Sequence, residues 1–306
     1  QDVKVILDGV PKGFEKYRQG SIFIEPELIK QIEVNKGAHT SLYGNGGFGG
    51  VITVETKDAQ DLLEGGFVHR MIGKRLKKKI DTAVKQLDAF VVLNEHEKEE
   101  WATVRPAVII PNSLPFYPAV PSTLSASRAI CVGRLEWEKG IDRLIDIWLS
   151  VHNTHPDWVL DIYGQGMLQD ELQQKIIAAN AGTYIHLKGS SPDIMYEYLN
   201  CSLLVLTSRY EGFPMALLEA MACGVPCVTY DCPFGPRSMI TNMRNGILVE
   251  EGDKKEMVDK INYLIENEKN RKKIGTNARK YVLQYSQKNI MDKWNILFNN
   301  CLTITS

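Results

Sequence analysis

Apolar and polar positions change their spacing along the chain near residue 128. From Arg128 onward, short apolar runs alternate with segments whose apolar residues recur at helical spacing. Predicted strands lie at 129–133, 158–163, 184–187, 203–206, 226–230 and 246–249, and predicted helices at 141–155, 167–180, 193–199, 214–223, 253–267, 271–284 and 287–299. This alternation is typical of a parallel sheet covered on both faces. We therefore predict one complete, doubly wound, Rossmann-like α/β domain with right-handed crossovers.

Residues 1–64 follow a different pattern, rich in glycine and in residues that favour strands. Predicted strands lie at 3–9, 32–34 and 51–55, and one short helix is predicted at 26–32. The glycine-rich segment at 41–50 is not expected to bind phosphate, because a phosphate loop opens a helix and this segment leads into a strand. We expect a bulged or tightly turned β connection there, within a small β-rich segment.

Residues 67–110 are rich in lysine and compatible with helices, apart from a short apolar strand at 89–93 and a helix that opens at Asn94. The proline- and serine-rich segment 111–127 is predicted to be a linker. The expected organisation is therefore a β-rich segment at 1–66, an intermediate piece at 67–110, the linker, and the Rossmann-like domain at 128–306.

Composition narrows the possible functions. The 306 residues are 44% hydrophobic and 24% charged, with a formal net charge of −1, which argues against non-specific nucleic-acid binding as the main role. None of the six cysteines lies in the first 130 residues or shows zinc-ligand spacing, so we expect buried or incidental thiols in a reducing compartment and no metal site. The chain begins Gln-Asp-Val without methionine, which indicates a fragment or a processed product.

A strongly basic stretch, RMIGKRLKKK, covers Arg70 to Lys79. Two interpretations remain open for it. It is either a solvated helix face or an amphipathic surface that contacts anionic lipid head groups.

Polar or glycine residues follow three of the predicted strands, at 133–140, 164–166 and 208–214. Because ligands of doubly wound domains bind at the carboxyl ends of the strands, we expect the site there. Arg134 and Lys139 would together hold a diphosphate and stabilise its charge as it leaves. The alternative is a surface ion pair with Glu136 or Glu138.

Two glycines and two carboxylates add to this site. Gly164 and Gly166 either let the backbone approach a ligand closely or form a plain tight turn. Glu211 and Glu219 lie eight residues apart, so that both can face one crevice, where they would bind a ribose diol and a sugar hydroxyl. The alternative, Glu219 as an ordinary helix-surface residue, fits poorly with its small, apolar neighbours.

The segment EGFPMALLEAMACGVPCV resembles the E-x7-E signature of the retaining glycosyltransferases of family 4. VGRLEWEKG and DIYGQG lie at matching places upstream, and NGILVEEGD lies at the matching place downstream. The resemblance runs from about Phe67 to the C-terminus. It implies the donor-binding half of a GT-B fold, which consists of two Rossmann-like domains.

The resemblance also implies roles for individual residues. Arg134 and Lys139 would hold the donor diphosphate, Glu211 would contact the donor sugar, and these three would be the catalytic residues. Glu219 would bind the ribose, and the backbone around Lys188 and Gly189 would line the base. The other residues implied at the donor site are Gly133, Gly164, Gly212, Phe213, Pro214 and Leu218.

Members of that family need no metal or cofactor, and they are thought to act by front-face displacement, in which the leaving phosphate helps to deprotonate the acceptor. Ser238 departs from the pattern, since relatives with a DCPFGP-like stretch often carry glutamate near there.

Residues 1–64 resemble a different family. VILDGVPKG and the stretch IEPELIKQIEVNKGAHTSLYGNGGFGGVITVETKDAQDLL resemble the plug domain of TonB-dependent outer-membrane receptors. A plug is periplasmic and a family 4 transferase is cytoplasmic, so we interpret the chain as a chimera, a misassembled gene or a designed concatenation, with its seam at Gly65–Gly66.

The resulting hypothesis is a hexosyltransferase of polysaccharide biosynthesis. It would transfer a sugar with retention from a UDP- or GDP-sugar to a glycan or lipid-linked acceptor, in the cytoplasm, with peripheral membrane contact through residues 70–79. Since residues 67–110 would supply only the last part of an acceptor domain, donor binding is better supported than turnover. The alternative is a receptor plug fragment, a binding and transport module, fused by chance to a donor-binding domain. That fragment alone would indicate the outer membrane or periplasm.

Overall fold

The computed structural model describes residues 2–7, 10–12, 29–35, 48–56, 78–87, 89–233 and 235–304. The chain divides into two compact units, Gln1–Leu87 and Asp88–Ser306. The predicted seam at Gly65–Gly66 and most of the basic stretch at 70–79 lie outside the described residues. Residues 78–85, at the end of that stretch, are helical.

The first unit contains a four-stranded sheet. Its strands are β1 (Asp2–Leu7), β2 (Val10–Lys12), β3 (Ile29–Asn35) and β4 (Phe48–Thr56). The spatial order is β2-β1-β4-β3, in which β1 and β4 are parallel and the other neighbours are antiparallel. The β-rich character predicted for this segment is therefore confirmed.

Two details of this sheet test the predictions for residues 26–55. The helix predicted at 26–32 is wrong from Ile29 onward, because Ile29 already pairs with Thr56 of β4 and strand pairing overrides a weak local helix preference. A register shift in β4 leaves Gly49 as an extra residue between the partners of Asp2 and Val3. The described end of the glycine-rich segment is thus a bulged strand and does not open a helix.

The second unit begins with a small β–α–β element. Its members are β5 (Val91–Val92), α1 (Glu95–Trp101) and β6 (Val108–Ile109), and β5 and β6 are parallel. Helix α1 starts where its sequence predicts, since Asn94 is its N-cap and accepts a hydrogen bond from the Glu97 amide.

The main sheet of the second unit has six parallel strands. These are β7 (Arg128–Val132), β8 (Val159–Tyr163), β9 (Ile185–Gly189), β10 (Leu203–Leu206), β11 (Cys227–Tyr230) and β12 (Ile247–Val249). The helices are α2 (Ile141–Thr154), α3 (Gln169–Ala178), α4 (Ile194–Leu199), α5 (Met215–Ala222), α6 (Lys254–Glu266), α7 (Glu268–Tyr281) and α8 (Gln287–Ile304). The predicted doubly wound α/β domain is confirmed, with boundary differences of a few residues at α3, α7 and α8.

Burial explains why this pattern could be recognised in the sequence. Every residue of the central strands β10 and β11 is buried. Helix α2 buries one face, whose members recur three and four residues apart: Ile141, Leu144, Ile145, Trp148 and Val151. Trp148 is fully buried and belongs to the hydrophobic core of this unit.

The segment predicted as a linker is packed along the second unit. Leu114 and Leu124 are buried, and the Ser122 amide donates to the carbonyl of Cys223. The guanidinium of Arg279 stacks on the Tyr117 ring, 4.0 Å from its centroid. It also donates hydrogen bonds to the carbonyl oxygens of Pro118 and Ala119. The proline- and serine-rich composition therefore marks an ordered connection in this protein.

The strand order β12-β11-β10-β7-β8-β9 places the site. After β7, the strands β8 and β9 are added on one side, and after β10, the strands β11 and β12 are added on the other side. The direction in which strands are added to the sheet therefore switches between β7 and β10. Folds of this kind bind ligands at the carboxyl ends of the two strands where this switch occurs, here β7 and β10. Among the described residues, no helix is both long and apolar enough to cross a membrane.

Candidate functional site

An ion pair joins the loop that follows β7 to the loop that follows β10. The Nζ atom of Lys139, after β7, lies 2.8 Å from both carboxylate oxygens of Glu211, after β10. The Ser208 hydroxyl donates to Oε1 of Glu211 at 2.7 Å. The side chains of Lys139 and Glu211 are 21% and 10% exposed. Lys139 thus pairs across the two loops with Glu211, whereas Oε1 of Glu136, one of the two predicted local partners, accepts the Met167 amide.

Further contacts hold these two loops against each other. Arg209 forms two hydrogen bonds to the carboxylate of Asp142, at 2.9 and 2.7 Å, and donates to the carbonyl of Trp137. Gly140 has a φ of +62°, and a Cβ atom there would lie 2.1 Å from the Thr207 carbonyl oxygen. Only glycine permits this approach, so the loop geometry that presents Lys139 to Glu211 depends on it.

Arg134 is the second predicted cation of the site. It follows β7 directly and is half-buried. Within the part of the chain that the structure describes, its guanidinium has no hydrogen-bond or ion-pair partner. A half-buried cation in that state at the end of a parallel strand is suited to bind an anionic ligand.

The glycines after β7 and β8 bring two loops together. A Cβ atom on Gly164 would lie 1.9 Å from the carbonyl oxygen of Gly133, and one on Gly166 would lie 2.4 Å from that of Leu135. Their absent side chains therefore allow close packing between protein backbones. The amide of Gly164 donates to the carbonyl of Gly189, which ends β9 beside the exposed Lys188.

The residues that lead into α5 differ in what they can offer a ligand. Gly212 is half-buried, whereas Phe213 and Pro214 are buried, and the Phe213 ring packs edge-on against Tyr285 at 5.7 Å. Leu218 is fully buried, so its side chain supports the site by packing. The backbone at Gly212 is the accessible part of this turn.

Glu219 lies one turn into α5 and is half-buried. Its Oε2 atom accepts a hydrogen bond from the hydroxyl of the fully buried Tyr198 at 3.0 Å. Burial raises the pKa of Glu219 from its ordinary value of 4.5 to about 7, and the Tyr198 hydrogen bond only partly opposes that rise. Glu219 is therefore not an ordinary solvated residue of the helix surface.

Three residues that support the carboxylates were not identified from the sequence. Ser208 lies in the polar stretch after β10, where a hydroxyl is a suitable partner for a nearby carboxylate. Tyr198 reaches Glu219 from a neighbouring helix, and no sequence signal marks it. Gly235 follows β11, and a Cβ atom there would lie 2.7 Å from the Glu211 carbonyl oxygen.

Ser238 and the six cysteines are the remaining positions for which the sequence made a prediction. The Ser238 hydroxyl donates to the carbonyl of Gly235 at 2.6 Å, so this position supports the loop after β11. All six cysteines are free thiols, and five of them are buried. Among the described residues, no group of three or more histidine, cysteine or acidic side chains is placed to hold a metal ion.

This doubly wound parallel domain, with Lys139 and Glu211 paired at its switch point, has the architecture of the C-terminal half of a GT-B fold. Comparison with known protein families supports this assignment. The family described as glycosyl transferases group 1 matches residues 124–281, which is more than half of the chain. The chain belongs to this family.

Individual relatives and solved structures support the same family assignment. The amylovoran biosynthesis glycosyltransferase AmsD of Erwinia amylovora is 33% identical over 173 residues, which cover 56% of this chain and 48% of AmsD. The crystal structure of a point mutant of Staphylococcus aureus TarM, in complex with Fondaparinux, alpha-GlcNAc-glycerol and UDP, matches with a TM-score of 0.68 and 28% identity. That match covers 73% of this chain and 46% of TarM. The chain thus spans about half the length of these relatives.

The first residues match a different family, as their sequence indicates. The TonB-dependent receptor plug domain matches residues 1–51. The TonB-dependent heme receptor A of Haemophilus influenzae is 56% identical over 73 residues, which cover 22% of this chain and 10% of the receptor. The similarity of the first segment to a receptor plug is therefore confirmed.

Proposed function

We propose that the second unit binds a nucleotide-sugar at the carboxyl ends of β7 and β10 and acts as a retaining, family 4-like hexosyltransferase. The Lys139–Glu211 ion pair, with Arg134 on the same loop as Lys139, carries this proposal, because it presents cations and a carboxylate together at the switch point. The UDP and the GlcNAc compound in the TarM structure support a nucleotide-sugar as the ligand class.

The cations would bind the donor diphosphate. Arg134 offers a planar guanidinium that can form two hydrogen bonds to phosphate oxygens, and Lys139 offers a point charge. As the bond between the sugar and the phosphate breaks, negative charge develops on the leaving diphosphate. Cations that are already in position stabilise this charge more in the transition state than in the ground state.

The two carboxylates would bind neutral hydroxyl groups. Glu211, held by Lys139 and Ser208, would accept hydrogen bonds from the donor sugar, with the Gly212 backbone beside it. Glu219, in its ionised form, can accept from both hydroxyls of a ribose diol. The backbone near Lys188 and Gly189 would then line the base.

Retention would follow from displacement on one face of the sugar. The bond between the anomeric carbon and the diphosphate oxygen breaks, and the acceptor oxygen bonds to the same face of that carbon. The acceptor proton passes to the leaving diphosphate. The acceptor would be a glycan or a lipid-linked glycan, and cytoplasmic activity with membrane contact through residues 70–79 belongs to this proposal. We expect donor binding to be measurable even where transfer by this chain is slow.

Calorimetric titration with UDP, UDP-N-acetylglucosamine, UDP-glucose and GDP-mannose tests the proposal. We expect at least one nucleotide-sugar to bind and Arg134→Met to weaken it by about tenfold, since one charge-assisted phosphate contact is lost. Arg244→Met is the matched control, because Arg244 is exposed and belongs to a turn that leads into β12. No binding of any donor, or equal loss in both variants, would contradict the donor site.

The plug similarity supports a second candidate function for residues 1–51, that of a receptor plug fragment. Limited proteolysis of the whole chain tests whether this segment is a passive fusion or folds together with the rest of the protein. Rapid cutting near Gly65–Gly66 that leaves a stable C-terminal product with unchanged UDP affinity indicates a passive fusion. Resistance at that point indicates that the first segment folds as part of the whole protein.

A further inference from the structure

Asn94 uses both ends of its side-chain amide. It is only 4% exposed and caps α1, where its Oδ1 atom accepts the Glu97 amide at 2.9 Å. Its Nδ2 atom donates to the carbonyl oxygen of Gly212 at 3.2 Å, across 118 residues of sequence. The acceptor end would be sufficient for capping, so the second hydrogen bond needs a separate explanation.

The partner of that hydrogen bond is the residue next to Glu211. Lys139 and Ser208 hold the Glu211 side chain, and Gly235 packs against the Glu211 carbonyl. Asn94 instead holds the following peptide, and it reaches that peptide from outside the six-stranded domain. The turn that carries the carboxylate is therefore fixed through its side chain and, separately, through its backbone.

Glu97 holds Asn94 and its surroundings in place. Its Oε2 atom accepts the Leu93 amide at 2.7 Å, and its Oε1 atom lies 3.8 Å from the point where a Gly212 Cβ would stand. Burial raises the pKa of Glu97, which agrees with a carboxylate enclosed between α1 and the Gly212 turn.

We propose that Asn94 is a positioning residue that sets the Glu211–Gly212 turn for the sugar part of the donor. This inference rests on the proposed function, in which Glu211 and the Gly212 backbone contact the sugar while Arg134 and Lys139 contact the diphosphate. Loss of the Asn94 donor would then weaken binding of a nucleotide-sugar more than binding of the nucleotide alone.

Two substitutions separate positioning from capping. Serine and aspartate both cap helices about as well as asparagine, so Asn94→Ser and Asn94→Asp keep the acceptor for Glu97. Asn94→Ser removes the donor to Gly212, and Asn94→Asp places a carboxylate oxygen against that carbonyl. Asp253→Ser is the matched control, because Asp253 caps α6 through the Glu256 amide at an exposed site.

Amide hydrogen exchange of the ligand-free chain tests the positioning directly. We expect residues 208–214 to exchange about three- to tenfold faster in both Asn94 variants and at the wild-type rate in Asp253→Ser, as one hydrogen bond that holds the turn is lost. Unchanged exchange in Asn94→Asp, the more disruptive variant, would overturn the proposal.

Titration with UDP and UDP-N-acetylglucosamine tests the consequence for the ligand. We expect the nucleotide-sugar to bind about three- to tenfold more weakly to both Asn94 variants, while UDP affinity stays within about twofold. Equal losses for the two ligands would indicate a merely structural role and overturn the proposal. If the wild-type chain binds neither ligand, the proposed function fails, and hydrogen exchange alone decides whether Asn94 sets the turn.

Discussion

Glu211 and Glu219 lie eight residues apart, yet their surroundings are opposite. Glu211 lies on a loop and has a lysine ammonium 2.8 Å from each oxygen and a serine hydroxyl at 2.7 Å. Glu219 lies on α5 among buried apolar residues and accepts a hydrogen bond from the neutral hydroxyl of Tyr198. One carboxylate is compensated by a charge, and the other is mainly desolvated.

The difference shows that environment, more than residue type, decides what a carboxylate can do. The Lys139 ammonium and the Ser208 hydroxyl hold the Glu211 carboxylate in place. Burial raises the pKa of Glu219 to about 7, so that its charge changes near neutral pH. Four substitutions or conditions test this contrast, and they are ordered by expected effect.

Lys139→Met should have the largest effect. It leaves the Glu211 carboxylate, 10% exposed, without its cation, and we expect the free energy of unfolding to fall by about 3 kcal/mol. Urea denaturation measures this. Lys260→Met is the control, because Lys260 forms a long, more accessible pair with Glu256 at 3.8 Å and should change stability by less than about 0.5 kcal/mol. Equal effects of the two variants would remove the contrast between the carboxylates.

Gly235→Ala should lower the free energy of unfolding by about 2 kcal/mol. The added Cβ would lie 2.7 Å from the Glu211 carbonyl oxygen and 3.0 Å from Cδ of Pro214, so backbone must shift. Thermal or urea unfolding measures the change. Gly182→Ala is the control, since a Cβ there meets nothing within 4 Å among the described residues. A neutral Gly235→Ala would show that the Glu211 turn can move freely.

Glu219 should make stability depend on pH. Its pKa is higher in the folded chain, about 7, than its ordinary value of 4.5, so the folded state binds the proton more tightly. Its contribution is therefore most favourable below pH 4.5 and declines as pH rises from about 4.5 to 7. The full change from 4.5 to about 7 would correspond to about 3 kcal/mol, and solvent screening at this half-buried position reduces it, so relative to Glu219→Gln we expect wild type to lose about 1–2 kcal/mol across that range.

Urea unfolding at several pH values measures this decline. Glu250→Gln, at an exposed position, is the control and should follow the wild-type profile. If Glu219 binds the ribose as proposed, UDP affinity should change in the opposite sense and rise as pH increases through about 7, because the ionised carboxylate would accept hydrogen bonds from both ribose hydroxyls. Parallel profiles for wild type and Glu219→Gln would contradict the assigned environment.

Tyr198→Phe should have the smallest effect, about 1 kcal/mol in the free energy of unfolding, through loss of one buried hydrogen bond. Since that hydrogen bond lowers the pKa of Glu219, its loss should move the pH profile to higher pH. Tyr263→Phe also loses a hydrogen bond, to Asn270, but should leave the profile in place. A profile unchanged in Tyr198→Phe would show that burial alone sets the Glu219 pKa.

Most of the fold could be predicted because its pattern is local. The strands at the centre of the six-stranded sheet are short and apolar, and α2 shows helical spacing, since burial acts on each segment separately. The failure at Ile29 has the opposite cause. That residue belongs to a strand because β4 pairs with it, and pairing between distant segments leaves little trace in a short sequence window.

The candidate site was only partly predictable for the same reason. The residue types at the strand ends indicate phosphate and hydroxyl chemistry, and the similarity to group 1 glycosyl transferases supports that interpretation. The residues that these side chains contact do not follow from the residue types. Lys139 and Glu211 lie 72 residues apart, and Asn94 reaches Gly212 across 118.

The sequence by itself determined the class of this protein, since apolar periodicity and motif spacing are properties of neighbouring residues. It also indicated that residues 1–51 are similar to a different family, because their motifs match a receptor plug. Only the tertiary structure decided which carboxylate is paired with a cation, which is desolvated, and which glycines are required. Charge state and close packing depend on distances between segments far apart in the chain, and those distances exist only once the chain has folded.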